Sequence, residues 1–120
     1  MSKEIDVILI DPFLRTIIKS TIENDLKSLQ HAVGDNHIEF VFVDDENIMY
    51  VDEEGLFKDN QKFFVLDVHG RKMPLAGKAI ILGNDMENGE TIGTKMNALD
   101  AYKIIEFKEL SEIVANKQIG

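Results

Sequence analysis

Two apolar runs, IEFVFV at 38–43 and IMYV at 48–51, constrain this chain more than any other feature; four polar residues separate them and acids fence them. Both runs are rich in β-branched and aromatic side chains, which suit a pleated, packed surface. A polar link of that length suits a hairpin loop built on a type I turn. The spacing predicts an antiparallel hairpin in which 38–43 is a largely buried strand. Just upstream, Leu26, Leu29, Gln30 and Val33 recur at i, i+3, i+4 and i+7, placing three apolar side chains on one face of a short helix. Asn24 is the expected N-cap of that helix and Gly34 its C′ residue.

The remaining segments extend the same pattern. Residues 5–10 form an apolar run that stops at Asp11-Pro12, so a buried strand is expected there. Residues 14–22 carry Thr16, Ile17, Ile18, Thr21 and Ile22, which favour a second strand; a single long helix with Pro12 at its first position is the alternative. Residues 60–68 are too apolar for a free loop and read as a strand or a helical turn capped by Asn60. Residues 70–77, with glycine at both ends and Pro74 inside, read as an irregular loop, and 78–82 as a buried strand. Asn88-Gly89 marks a hairpin turn leading into a short strand at 91–93. Residues 102–107 look extended, and Leu110, Ile113 and Val114 announce a terminal helix starting near Lys108. The expected fold is α+β: a small, mainly antiparallel sheet with one helix after the first strands and a C-terminal helix, all in one compact domain of 120 residues.

The segments LKSLQHAVGDNHIEF and VDEEG, then Asn60, and later GKAIILGNDMENGE resemble a domain-of-unknown-function family of small phage and plasmid proteins, whose pattern is roughly L-x-x-L-Q-x-x-V-G-G-x-I-E. The similarity covers most of residues 5–93. The chain departs from it at Asp35, where the pattern has a second glycine, and at Gln61-Lys62-Phe63, where a smaller and more basic run is expected. The resemblance implies an accessory protein of a mobile element and carries no catalytic mechanism with it.

Composition removes several classes of function. There is no cysteine, so thiol nucleophiles, disulfides and Cys-ligated zinc are excluded, and a reducing compartment is compatible. The short N-terminal apolar run is bounded by acids and matches neither a signal peptide nor a membrane span, so a soluble protein in the cytoplasm of the host cell is expected. With a net charge of −9 and a pI near 4.7, direct binding to nucleic acid is not expected, because phosphate neutralisation needs clustered Lys and Arg.

Motifs for chemistry fail on spacing. The segment GRKMPLAGKA has the outline of a phosphate-binding loop, but six residues separate its glycines, Ala79 stands where a Mg-binding hydroxyl is needed, and strand-like AIIL follows. Asn84 to Gly89 fails as a calcium loop, with Met86 at position 3 and Lys95 at position 12. His31, His37 and His69 have no metal-ligand spacing, and no serine has a nucleophile-elbow setting. No catalytic residue, cofactor or metal is expected.

Two binding surfaces follow from the charge distribution. Between 39 and 54 there are seven acids and no base; Asp44, Asp45, Glu46, Asp52, Glu53 and Glu54 are the candidates for contact with a basic surface on a host protein. Between 62 and 78, Lys62, Arg71, Lys72 and Lys78 face Asp67 alone. There Asn60, Arg71, Lys72 and Lys78 are the alternative candidates, around a loop that takes a small nucleotide-type ligand, with a homo-oligomer interface as a setting. Charge runs of either sign are ordinarily solvated loops.

Overall fold

The computed structural model describes residues 3–85 and 87–119, with side chains to Val114. The fold is α+β and mostly antiparallel sheet. Strands β1 (Glu4–Asp11) and β2 (Thr16–Glu23) form the first hairpin. Its link is tightened by Asp11 Oδ1, which accepts from the backbone N–H groups of Phe13 and Leu14. Helix α1 (Leu26–Val33) follows, then β3 (Ile38–Phe42) and β4 (Asn47–Asp52), which pair as the predicted hairpin. After a 3₁₀ turn at Gly55–Phe57 come β5 (Phe63–Val68), β6 (Arg71–Ala76), β7 (Ala79–Asp85) and β8 (Glu90–Ile92). Helix α2 (Ala98–Ile104), β9 (Ile105–Lys108) and helix α3 (Leu110–Ile119) complete the chain.

The strands make two sheets. The larger has the order β2-β1-β7-β4-β3, with β8 continuing from β7; the smaller is β6-β5-β9. Because side chains alternate across a strand, each face of the larger sheet has its own core. Ile8, Ile10, Met49, Val51 and Ile81 meet Phe64, Leu66 and Ile105 of the smaller sheet, while Val7, Ile80 and Leu82 receive Leu29 and Val33 of α1. Ala101 brings α2 into the inter-sheet core.

Several local expectations are corrected. The N-cap of α1 is Asp25, whose side chain accepts from the Ser28 N–H at 2.8 Å; Gly34 closes the helix in the left-handed conformation at φ 88°. Only Leu29 and Val33 of the helix are buried, and Leu26 is 62% exposed. The stretch 14–22 resolves as strand from Thr16 onward, with Leu14 and Arg15 in the turn before it, and 63–68 resolves as strand.

The loop expected at 70–77 is instead strand β6. Its irregularity lies at the two ends: His69 (φ 55°) and Gly70 (φ 82°) make a two-residue turn of positive φ before it, and Gly77 (φ 84°) bends the chain after it. Pro74 is tolerated because β6 is an edge strand: the bond from Gly77 N–H to the Lys62 carbonyl sets an alternation in which position 74 faces away from β5 and needs no donor.

Residues 102–104, expected to be extended, belong to α2. A capping box starts that helix: Asn97 accepts from the Asp100 N–H, and the Asp100 carboxylate accepts from the Asn97 N–H. Met86, placed by the sequence in the turn before β8, and Ser2 lie outside the described residues.

Candidate functional site

The acidic stretch is divided by strand β4. Six residues long, β4 sets its two ends about 17 Å apart at ~3.3 Å per step, with Asp44, Asp45 and Glu46 in the turn at one end and Asp52, Glu53 and Glu54 at the other. Two of these six acids are used internally. Asp44 accepts from the Glu46 N–H at 2.8 Å and from the Asn47 side-chain amide at 2.9 Å; Asn47 in turn accepts from the buried Thr94 hydroxyl. Asp52 is buried, accepts from the Glu54 N–H at 2.9 Å, and lies 2.6 Å from Lys58 Nζ. Asp45, Glu46, Glu53 and Glu54 remain exposed.

Lys58, just outside the acid-only window of the sequence, bridges Asp52 to Asp35. Asp35 thus has a role of its own in the link between α1 and β3. The Lys58 ammonium, helped by the His37 backbone N–H, holds the Asp35 carboxyl down to about 2, and the same two carboxylates push Lys58 up. This cluster ties the link between α1 and β3 to the end of β4.

Between the acidic ends lies the open edge of the larger sheet. Strand β3 is terminal in the strand order. The Val43 N–H donates to the Asn47 carbonyl (3.0 Å) and the Glu53 N–H donates to the His37 carbonyl (2.9 Å). By the alternation of an antiparallel ladder, Glu39 and Val41 point their peptide groups at β4, and Ile38, Phe40 and Phe42 point theirs outward.

The side chains match. Phe40 is 53% and Phe42 60% exposed, against the expectation of a largely buried strand. Their rings meet edge to face at 5.4 Å, and Phe40 meets Tyr50 of β4 at 6.4 Å. The reason is position: β3 pairs with β4 and ends the sheet, and α1 packs over β7, β4 and β2, so the two rings at the β3 border stay open to solvent. The signal present in the sequence was the exclusively acidic flanking; which strand ends the sheet could not be read from it.

The alternative basic set is not brought together. Arg71 and Lys72 open β6 beside the His69-Gly70 turn, whereas Lys78 follows its far end, about 17 Å of strand away by the usual rise per residue. Asn60, at φ 58°, lies in the connection before β5, and all four residues are exposed. Gly77 is occupied within the fold, since its N–H donates to the Lys62 carbonyl and the Gln61 amide stands where a side chain at 77 would begin. Among the described residues no group of three or more His, Asp or Glu is placed to hold a metal ion, and no helix is long and apolar enough to cross a membrane.

In class, the molecule is a small antiparallel α+β domain with one sheet edge left open between acidic ends. The chain belongs to a family described as a domain of unknown function, DUF3846, whose model matches residues 5–105. No curated protein and no solved structure matches it.

Proposed function

We propose that this domain is a non-enzymatic accessory binding protein of phage or other mobile-element origin, which inhibits a host defence protein by engaging a basic surface with its β3–β4 hairpin. The observation that carries this reading is the exposed Phe40-Phe42 pair set between two groups of exposed acids. Acids of one sign steer encounter with a basic partner, and desolvated aromatic side chains supply the anchoring contacts of an interface. Asp44 and Asp52 support the hairpin, and Asp45, Glu46, Glu53 and Glu54 face the partner.

The test is capture of partners from host-cell lysate by the wild-type protein and by a variant carrying Asp45→Asn, Glu46→Gln, Glu53→Gln and Glu54→Gln, at low and at high salt. The reading expects a specific host protein that the variant loses and that salt weakens. An unchanged set of captured proteins under both conditions would refute it.

A further inference from the structure

We infer that the outer edge of β3 is a docking site for an extended, basic segment of a partner protein, which adds to the larger sheet as a further antiparallel strand. This inference rests on the proposed acidic-surface function and specifies how that surface is used.

The argument begins with backbone groups. An edge strand offers unpaired N–H and C=O groups that template pairing with another chain, and proteins ordinarily blunt such edges with lysine, proline or a bulge. In β3, IEFVF, there is neither lysine nor proline, and its register with β4 runs unbroken from Ile38 to Phe42. The outward peptide groups belong to Ile38, Phe40 and Phe42, the same three residues whose side chains share the face beside α1 and Tyr50. An added strand therefore makes its main-chain bonds and its apolar contacts at the same positions, as in recognition by strand addition.

Charge selects the occupant. Glu39, the only charge on β3, lies on the opposite face from Phe40 and Phe42 and favours Lys or Arg directly across from it. Beyond the strand ends, Asp45 and Glu46 on one side and Glu53 and Glu54 on the other favour bases flanking the incoming segment. A second copy of this chain fits poorly. Antiparallel self-pairing centred on Phe40 sets the Asp45-Glu46 turn of each copy beside the Glu53-Glu54 end of the other, and each copy carries a net charge of −9. The segment that suits the site has apolar residues at alternate positions, a base opposite Glu39, and bases at both ends.

The probe is the synthetic peptide Lys-Arg-Val-Thr-Val-Lys-Val-Arg-Lys, with a control in which every base is glutamate. Residue-resolved amide exchange and affinity are measured on the whole protein. Binding by the basic peptide alone should raise protection at the Phe40 and Phe42 amides by about tenfold or more, while Glu39 and Val41, already bonded to β4, stay unchanged. Phe40→Lys or Phe42→Lys should weaken affinity by about tenfold or more, with the fold checked by circular dichroism. The four-acid neutralised variant should bind less tightly and with a flatter salt dependence.

Peptide binding that depends on the acids but leaves the Phe40 and Phe42 amides unprotected would overturn strand addition while sparing the acidic-surface reading. Alternating protection that is indifferent to the acids would overturn the choice of a basic partner and that reading with it. Protection at the same amides that grows with protein concentration alone would assign the edge to a second copy, and absence of peptide binding would overturn the inference outright.

Discussion

The larger sheet has two edges, and they are built differently. Strand β2 is eight residues long, carries Lys19 near its centre among hydroxyl side chains, and has one outward donor already engaged: the Ile17 N–H donates to the Tyr102 hydroxyl of α2 at 3.3 Å. Strand β3 is five residues long, has no lysine, and exposes two phenylalanines beside three sets of outward peptide groups. One edge is closed by composition and by a neighbouring helix. The other is left available, with charge only on its far face and at its ends, so one sheet carries a guarded border and an unguarded one.

Changes to the shared support of β3 and β4 should have the largest effect. Met49 is fully buried, opposite Val41 on one side and Ile81 on the other. Met49→Ala should lower stability by about 2–5 kcal/mol in chemical denaturation, through lost burial and an unfilled cavity. A loss near zero would mean that the hairpin is not anchored through the inter-sheet core. Next in size is Tyr102→Phe, which removes the acceptor at β2. It should cost about 1 kcal/mol and speed exchange of the Ile17 amide, making the closed edge resemble the open one.

Phe42→Lys tests the converse by giving β3 the protection that Lys19 gives β2. The side chain is exposed, so stability should change by no more than about 0.5 kcal/mol, while strand-adding peptides are rejected. A large loss of stability would show that Phe42 belongs to the core after all.

The smallest effect is expected from pH. The Asp35 carboxyl is held below its ordinary value of 3.8, to about 2, first by Lys58. Its contribution is therefore present above pH 3.8 and lost as pH falls towards 2. Lys58 is partly exposed to solvent, so screening keeps that contribution small. Carboxyl-carbon NMR titration should give the lowered value in wild type and a return towards 3.8 in Lys58→Met; an unshifted wild-type value would remove the cluster as the tie between the α1–β3 link and β4.

What the sequence allowed to be read divides along similar lines. The β3–β4 hairpin, the opening strand and the Gly34 cap depend on neighbours in sequence, and their apolar spacing and turn chemistry are local. The stretch 70–77 misled because Pro74 and two glycines look like loop punctuation unless the strand is known to lie at a sheet edge. Helix α2 is only seven residues long and contains Tyr102 and Ile104, which favour strands; its signal was the spacing of Asn97 and Asp100.

The acids were legible as a block, but not their separation by β4, the internal use of Asp44 and Asp52, or the reach of Lys58 back to Asp35. The exposure of Phe40 and Phe42 was invisible for the same reason, since a β-rich run reads alike in the middle of a sheet and at its border. Strand order is a long-range property and is absent from any window of the sequence.

Residue-resolved amide exchange of the free protein tests most directly whether β3 is an open edge. Exchange should be fast at Ile38, Phe40 and Phe42 and slow at Glu39 and Val41, with Ile17 at the opposite border slowed by Tyr102. Uniform protection along residues 38–42 at all protein concentrations would mean that this edge is covered within the molecule, and would contradict the account.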